Sequence, residues 1–189
     1  MMSARKAASA DGFDLTFAVN HLAPFLLTNL LLPKLCQTAG ARIVVVASGA
    51  HRRATLDFED LMNERVSGLL PAYSRSKLAN ILFTRALARR LAGTGVTANC
   101  LHPGLVNSHL FHGSPALLRG VLGVLGRTFM LSPQQGARTS IYLATSPEVA
   151  GASGGYYDRC RRVTPSAAAQ NDADAERLWQ ASARLTGAG

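Results

Sequence analysis

A tyrosine and a lysine lie four positions apart in the pentapeptide YSRSK, residues 73–77. Residues at this spacing lie on the same face of a helix, so the side chains of Tyr73 and Lys77 can meet. A lysine ammonium beside a phenol stabilises the phenolate, and we therefore expect Lys77 to lower the pKa of Tyr73 toward working pH. Such a tyrosine can act as a general acid or base. Taken alone, the spacing is more typical of an ordinary surface helix.

A second candidate is Ser48, which follows an apolar run. The run, residues 43–46, is β-branched and apolar at every position, as expected of a parallel strand covered on both faces. Ligands of open α/β sheets bind at the carboxyl ends of the strands, where this hydroxyl is predicted to lie. Ser48 is therefore a candidate hydrogen-bond partner for a substrate oxygen, the alternative being a serine that only ends the strand in a turn.

An asparagine and a proline interrupt the first predicted helix. Asn20 is a poor helix former at a mid-helix position, and Pro24 has no N–H with which to meet the carbonyl of Asn20. We expect the helix to kink there and that carbonyl to hold a water molecule that relays protons to Lys77. The alternative is a proline kink without catalytic meaning.

The loop after the next predicted strand contains Pro103 and Gly104. A Pro-Gly turn at the carboxyl end of a strand brings backbone amides close to a bound ring. Alone, this feature predicts only a loop.

Helices and strands alternate along the chain, which predicts an α/β fold with about three parallel strands and crossover helices. The first strand is then expected to have an unpaired edge that further strands should cover. The predicted helices are 12–35, 73–92, 133–145 and a last one from Asn171 or Asp172 to Gly187, and the predicted strands are 43–46, 96–101 and a short one near Tyr156.

The composition fits one globular domain, since 48% of the 189 residues are hydrophobic. The net charge of +9 is compatible with a polyanionic partner, but the arginines are scattered in pairs. The sequence also lacks the interleaved basic and aromatic residues that are typical of nucleic-acid binding, so we expect no nucleic-acid partner. The cysteines are three in number and widely spaced, without a metal or disulfide pattern. They favour a reducing compartment.

The N-terminal residues lack the apolar segment of a signal peptide. The longest apolar stretch, Leu22–Pro33, is too short to span a bilayer by itself. We therefore expect no transmembrane segment and a soluble, cytoplasmic protein.

The combination of these motifs resembles the short-chain dehydrogenase/reductase family. In chain order the matching residues are Asn20, Ser48, Tyr73, Lys77 and the pair Pro103 and Gly104. The interval of 25 residues from Ser48 to Tyr73 resembles the retinol dehydrogenase branch of the family. So do four longer stretches: FAVNHLAPFLLTNLLLP, YSRSKLANILFTRALARRL, GVTANCLHPGLVNSHLF and SPQQGARTS. The resemblance covers about residues 10–187 and implies a Rossmann-type, doubly wound parallel sheet.

The resemblance implies a role for each matching residue. Tyr73 exchanges the proton, Ser48 orients the substrate oxygen, and Lys77 also holds the nicotinamide ribose. Asn20 anchors a relay water. The remaining cofactor contacts are assigned by resemblance to Pro103, Gly104, Val106 and, on the diphosphate side, Ser108. The cofactor is NADP or NAD, with NADP slightly favoured.

An apolar, glycine-punctuated segment, residues 105–131, is a candidate substrate flap that contains Phe111. It suits a lipophilic alcohol, aldehyde or ketone, while an ordinary packing segment is the alternative. Helices 12–35 and 73–92 are candidate contact surfaces for a homo-oligomer.

One departure from the family pattern is large. No glycine-rich G-x-x-x-G-x-G phosphate loop follows a strand in this sequence. The residue that selects NAD or NADP in the family also has no counterpart here. We therefore expect a single partial domain over residues 1–189, truncated at its N-terminus and inactive alone. The alternative function is a non-catalytic interaction module, or a pseudoenzyme fragment, that keeps the family's helical surfaces.

Overall fold

A computed structural model of the chain describes residues 6–106 and 130–188. Its central sheet contains, in spatial order, β1 (Arg42–Val46), β2 (Thr97–His102), β3 (Tyr156–Asp158) and β4 (Arg161–Arg162). The first three strands run parallel, as the sequence predicts. The fourth was not predicted: it pairs antiparallel with β3 because a tight turn with positive φ at Arg159 and Cys160 folds the chain straight back.

Strand β1 lies at one edge of the sheet. Within the described residues it pairs with β2 alone, which leaves its other edge open, as expected. Val46, the last residue of β1, is 45% exposed although it is β-branched and apolar. An exposed apolar side chain therefore lies beside the strand end that leads to Ser48.

The first helical segment is irregular at the predicted place. It consists of α1 (Leu15–Phe17), a π-helical turn (Ala18–Leu22) and α2 (Ala23–Cys36). Asp14 is the N-cap, its carboxylate accepting the N–H of Phe17 at 2.8 Å. The Ala23 N–H donates to the carbonyl of Ala18, five residues back, directly before Pro24. A π turn widens the helix by one residue and so adapts it to a proline that has no N–H to donate.

The expectation that the apolar stretch is too short for a membrane applies only to the stretch considered alone. The helical segment that contains it, Leu15–Cys36, has 22 residues and a mean hydropathy of 1.5 over its most apolar part. Among the described residues it is the one helix that is long and apolar enough to cross a membrane by these two measures. Core helices of soluble proteins meet the same measures, and a third of the apolar part, 33%, is buried within this fold.

Helix α3 (Leu69–Arg90) is the centre of the main core. It packs against the sheet and against the C-terminal helix α5 (Asp172–Thr186). An aromatic cluster closes the space between these helices and α2, with ring centroids 4.9–5.8 Å apart: Phe25, Phe83 and Trp179. This packing fixes the face of α3 that carries Tyr73 and Lys77 relative to the end of β1.

Helix α4 (Pro133–Thr145) supports the loop after β2 from the other side of the sheet. It begins as predicted, because Ser132 and Gln135 form a reciprocal capping box. A Cβ at Gly136 would lie 2.4 Å from a methyl carbon of Val106, so the loop approaches the helix as closely as a glycine allows. The loop position therefore depends on the first turn of α4.

Candidate active site

The carboxyl end of β1 is held by two side chains of α3. Lys77 donates from Nζ to the carbonyl of Val46 at 3.0 Å, and Asn80 donates from Nδ2 to the same oxygen at 3.3 Å. Both side chains are buried. This shared acceptor fixes the distance between α3 and the strand end that leads to Ser48.

Ser48 and Tyr73 meet at this strand end. The Ser48 side chain lies close enough to Tyr73 to affect the pKa of that phenol, and the Ser48 Oγ accepts the backbone N–H of Ala50 at 3.2 Å. The Nζ of Lys77 lies 5.6 Å from the ring centroid of Tyr73. Tyr73 and Lys77 lie four residues apart on one helix, whereas Ser48 lies 25 residues before Tyr73. The structure brings all three side chains together.

The pKa of Tyr73 departs from the expected direction. Burial raises the pKa of Tyr73 above the ordinary tyrosine value, and the nearby Ser48 side chain offsets part of that rise. The prediction that Lys77 lowers this pKa is therefore wrong for the chain described. Its ammonium donates to Val46, and burial lowers the pKa of Lys77 itself to about 8, so its charge is only partly retained near that pH.

Asn20 reaches Tyr73 through a serine. The Asn20 Nδ2 donates to the Ser76 Oγ at 2.9 Å, and that hydroxyl donates to the backbone carbonyl of Tyr73 at 2.7 Å. Asn20 lies within the π turn and is buried. Its side chain therefore connects the irregular helix to the residue that carries the candidate proton donor, whereas the relay water at its carbonyl stays a prediction.

The loop after β2 lies at the same end of the sheet. Gly104 has φ +87°, and a Cβ there would come within 2.5 Å of a Leu131 methyl carbon, so glycine is required. The N–H of Leu131 donates to the carbonyl of Leu105 at 2.7 Å, and Val106 forms a parallel bridge with Leu131. The two ends of the candidate flap therefore meet at its base. Ser108, Phe111 and most of the segment 105–131 lie outside the described residues.

Three residues of this site were not found from the sequence. Ser76 and Asn80 follow Tyr73 at helical spacings that a search of the same face could have included. His51 is fully buried, with Nδ1 2.7 Å from the carbonyl of Ser48. Apart from the short interval of three residues, nothing in the sequence around His51 predicts its contact with the carbonyl of Ser48.

The described residues contain no group of three or more histidine, cysteine or acidic side chains placed to hold a metal ion. All three cysteines are free thiols. The groups at this strand end that could move a proton are the hydroxyls of Ser48 and Tyr73 and the ammonium of Lys77.

The chain belongs to the short chain dehydrogenase family, whose sequence model matches residues 1–116. The matched part includes Asn20, Ser48, Tyr73, Lys77 and the Pro103-Gly104 turn. Human retinol dehydrogenase 14 is 47% identical over 179 residues, which are 94% of this chain and 53% of that protein. The chain thus spans about half the length of the curated relatives that it matches.

Solved structures give the same result. An uncharacterized protein from Mycobacterium paratuberculosis superposes with a TM-score of 0.77 at 32% identity, over 99% of this chain and 64% of that one. The angucycline C-6 ketoreductase LanV, solved with bound NADP, has a TM-score of 0.59 at 25% identity, over 84% of this chain and 57% of that one. The fold is therefore part of a Rossmann-type α/β sheet.

Proposed function

We propose that this chain carries the catalytic residues of an NAD(P)-dependent oxidoreductase that interconverts a lipophilic alcohol and its aldehyde or ketone. The observation that carries the proposal is the convergence of Ser48, Tyr73 and Lys77 at the carboxyl end of β1, where the Nζ of Lys77 lies 5.6 Å from the centroid of the Tyr73 ring and donates to the last residue of the strand. Hydroxyls at such a strand end lie where open α/β sheets bind their ligands.

In this function Tyr73 moves the proton and Ser48 orients the reacting oxygen. Because burial raises the pKa of Tyr73, its hydroxyl is protonated at neutral pH and can donate to a carbonyl oxygen during reduction. In the opposite direction, Tyr73 must accept a proton, so we expect alcohol oxidation to become faster as the pH rises. Asn20 holds the water through which the site exchanges its proton with solvent.

The described residues fit the nicotinamide side of the cofactor. An ammonium has three donors, of which Lys77 directs one to Val46, so others can reach ribose hydroxyls. The backbone of Pro103, Gly104 and Val106 is suited to hold the carboxamide, and Ser108 the diphosphate side. When bound, the nicotinamide supplies the hydride donor or acceptor. We favour NADP, which the ketoreductase LanV binds.

The substrate class is inferred from two observations. The human relative is named as a dehydrogenase of retinol, a lipophilic alcohol. The segment 105–131, whose ends meet beside the candidate site, contains many apolar side chains, including Phe111.

The free thiols are compatible with a reducing, cytoplasmic location. Because no glycine-rich phosphate loop follows a strand in the sequence, we propose that the chain alone has no turnover and no saturable cofactor binding.

The test uses this chain joined to a nucleotide-binding half of the family type, assayed for NADPH- and NADH-dependent reduction of lipophilic aldehydes. We expect Tyr73→Phe to lower kcat by at least about a hundredfold, with little change in cofactor affinity, because the lost hydroxyl acts mainly in the transition state. Lys77→Ala should lower both kcat and cofactor affinity, because that side chain is assigned to the ribose as well.

Two controls make the result decisive. Thr145→Ala changes a hydroxyl at the exposed end of α4 and should leave kcat unchanged. Full turnover in the Tyr73→Phe protein would reject the catalytic assignment. Saturable micromolar cofactor binding by the unextended chain would instead reject only the proposal that it is inactive alone.

A further inference from the structure

The imidazole of His51 joins the turn after β1 to a distant segment. Its Nδ1 lies 2.7 Å from the carbonyl oxygen of Ser48, and its Nε2 lies 3.1 Å from the backbone nitrogen of Ser166. A backbone N–H can only donate, so Nε2 must accept from Ser166. Nδ1 must then carry the proton and donate to Ser48. The neutral Nδ1–H tautomer is the form that satisfies both contacts.

The far end of this connection is itself anchored. Residues 163–166, which we call the strap, connect β4 to the last part of the chain. Arg52 donates to the carbonyl of Thr164 at 3.0 Å, and the N–H of Val163 donates to the carbonyl of Tyr156 at 2.9 Å. The ring of Tyr156 also lies edge-on to the imidazole, with centroids 5.0 Å apart. The strap is therefore held by the sheet, and the two hydrogen bonds of His51 connect it to the turn after β1.

The near end is the residue that contacts Tyr73. The carbonyl of Ser48 accepts the imidazole proton and, at 3.3 Å, the backbone N–H of His51. The side chain of the same serine lies near Tyr73 and lowers the pKa of that phenol relative to burial alone. A shift of this carbonyl would rotate the serine backbone and move its hydroxyl away from the tyrosine.

We propose that His51 is a positioning residue that, as the neutral Nδ1–H tautomer, fixes the backbone of Ser48 so that its hydroxyl stays on Tyr73. It touches neither of the two hydroxyls that are assigned to the reaction. The inference deepens the proposed function and rests on it for its catalytic consequence, whereas the tautomer and the Ser48 contact are properties of the chain itself.

The surroundings of His51 favour its neutral form. The charged and titratable groups that face it in the described chain are Arg52 from the same turn after β1, His102 from the end of β2 and Tyr156 from β3. Burial lowers the pKa of His51, and the charges of Arg52 and His102 lower it further, while the contact with Ser48 opposes this in part. In acid, a protonated Nε2 would face the donor N–H of Ser166, and the contact would be lost.

Two substitutions separate the two ends of the connection. In His51→Asn the amide nitrogen is placed near the position of Nδ1, which keeps a donor for Ser48 but removes the acceptor for Ser166. In His51→Gln the amide oxygen is placed near the position of Nε2, which keeps the acceptor for Ser166 but removes the donor for Ser48. The pair is matched in chemistry and differs in which contact survives.

The first measurement needs no turnover and uses the chain as it is. NMR of the ring carbon Cζ of Tyr73 gives the pKa of that phenol in each variant. Because the Ser48 contact holds this pKa below the value that burial alone would set, we expect His51→Gln to raise it as far as Ser48→Ala does. His51→Asn should raise it less. Equal values in wild type and His51→Gln, or a larger rise in His51→Asn, would overturn the proposal.

Ring nitrogen shifts test the tautomer without any substitution. We expect the wild-type chain to show a protonated Nδ1 and an unprotonated Nε2 at neutral pH, and the reverse assignment would overturn the proposal even if a variant failed to fold. In the protein extended by a nucleotide-binding half, His51→Gln should lower kcat about tenfold with cofactor affinity unchanged, and His51→Asn should lower it less. Full turnover in Tyr73→Phe would reject the proposed function and leave both NMR results standing.

Discussion

Helix α2 is the more apolar of two neighbouring helices but is the more exposed, whereas helix α3 is the more polar but is the more buried. Helix α2 is apolar along most of its length, yet three of its leucines are 47–69% exposed: Leu27, Leu30 and Leu31. Helix α3 carries many polar and charged residues, yet most of its length is buried, including five polar side chains: Ser74, Ser76, Lys77, Asn80 and Thr84.

This difference shows that the hydropathy of a helix does not by itself locate its packing face. Burial of polar groups of α3 is offset where they find backbone partners: Ser76 donates to the carbonyl of Tyr73 and Lys77 donates to the carbonyl of Val46. The leucines of α2 face away from the core, and in this chain they form an apolar surface. The buried polar helix carries the candidate chemistry, while the exposed leucines of α2 are only a candidate interface.

The largest expected effect comes from removing a side chain of α3 that is inside the core. Leu82 is 1% exposed, so Leu82→Ala should lower the free energy of unfolding by about 2–5 kcal/mol through lost burial and the cavity left behind. Urea denaturation followed by circular dichroism measures this. A loss below about 1 kcal/mol would mean that the core around α3 is loosely packed, and the contrast with α2 would disappear.

Acid should weaken the contact between the π turn before α2 and helix α5. His21 lies in the π turn before α2, where burial lowers its pKa from 6.5 to about 4 and its Nε2 lies 2.8 Å from the Ser182 Oγ. The unfolded chain binds the proton first as pH falls, so the stabilisation is fully present above pH 6.5 and is lost toward pH 4. The shift corresponds to about 3 kcal/mol.

Denaturation at several pH values from neutral to 4 checks this expectation, with His21→Gln as the non-titrating control. Because burial also lowers the pKa values of His51 and His102, that control should keep a smaller part of the same pH dependence. Equal slopes in wild type and control would contradict the assignment to His21.

The smallest effect on stability is expected at the exposed face of α2. Leu30 is 69% exposed, so Leu30→Ser should change the free energy of unfolding by less than about 0.5 kcal/mol. If α2 mediates a homo-oligomer, the same substitution should reduce self-association in analytical ultracentrifugation, because it removes apolar area from the interface. Unchanged association with Leu30→Ser would assign any oligomer to another surface.

Much of the fold could be predicted from the sequence because its signals are local. The N-cap serine Ser132 and its partner Gln135 define the start of α4 to the residue, and Asn171 and Gly187 bound α5 in the same way. The β-branched run before Ser48 predicted β1. Each of these signals acts through hydrogen bonds or sterics within a few residues, so the neighbouring sequence contains all the information.

The candidate site could be predicted only in part. The helical spacing of Tyr73 and Lys77, and the position of Ser48 after a strand, predicted that the three side chains converge. The direction of the pKa of Tyr73 was predicted wrongly, because it depends on burial and on where the Lys77 ammonium is directed. Both depend on how α3 packs against the end of β1.

The sequence by itself determined the elements, their order and the residue types available for proton transfer. Only the tertiary structure decided which distant residues fix them, since Asn20 meets Ser76 across 56 positions and His51 meets Ser166 across 115. The physical reason is that such contacts form when the sheet order and the helix packing bring separate segments together. No pattern within a few residues encodes that arrangement.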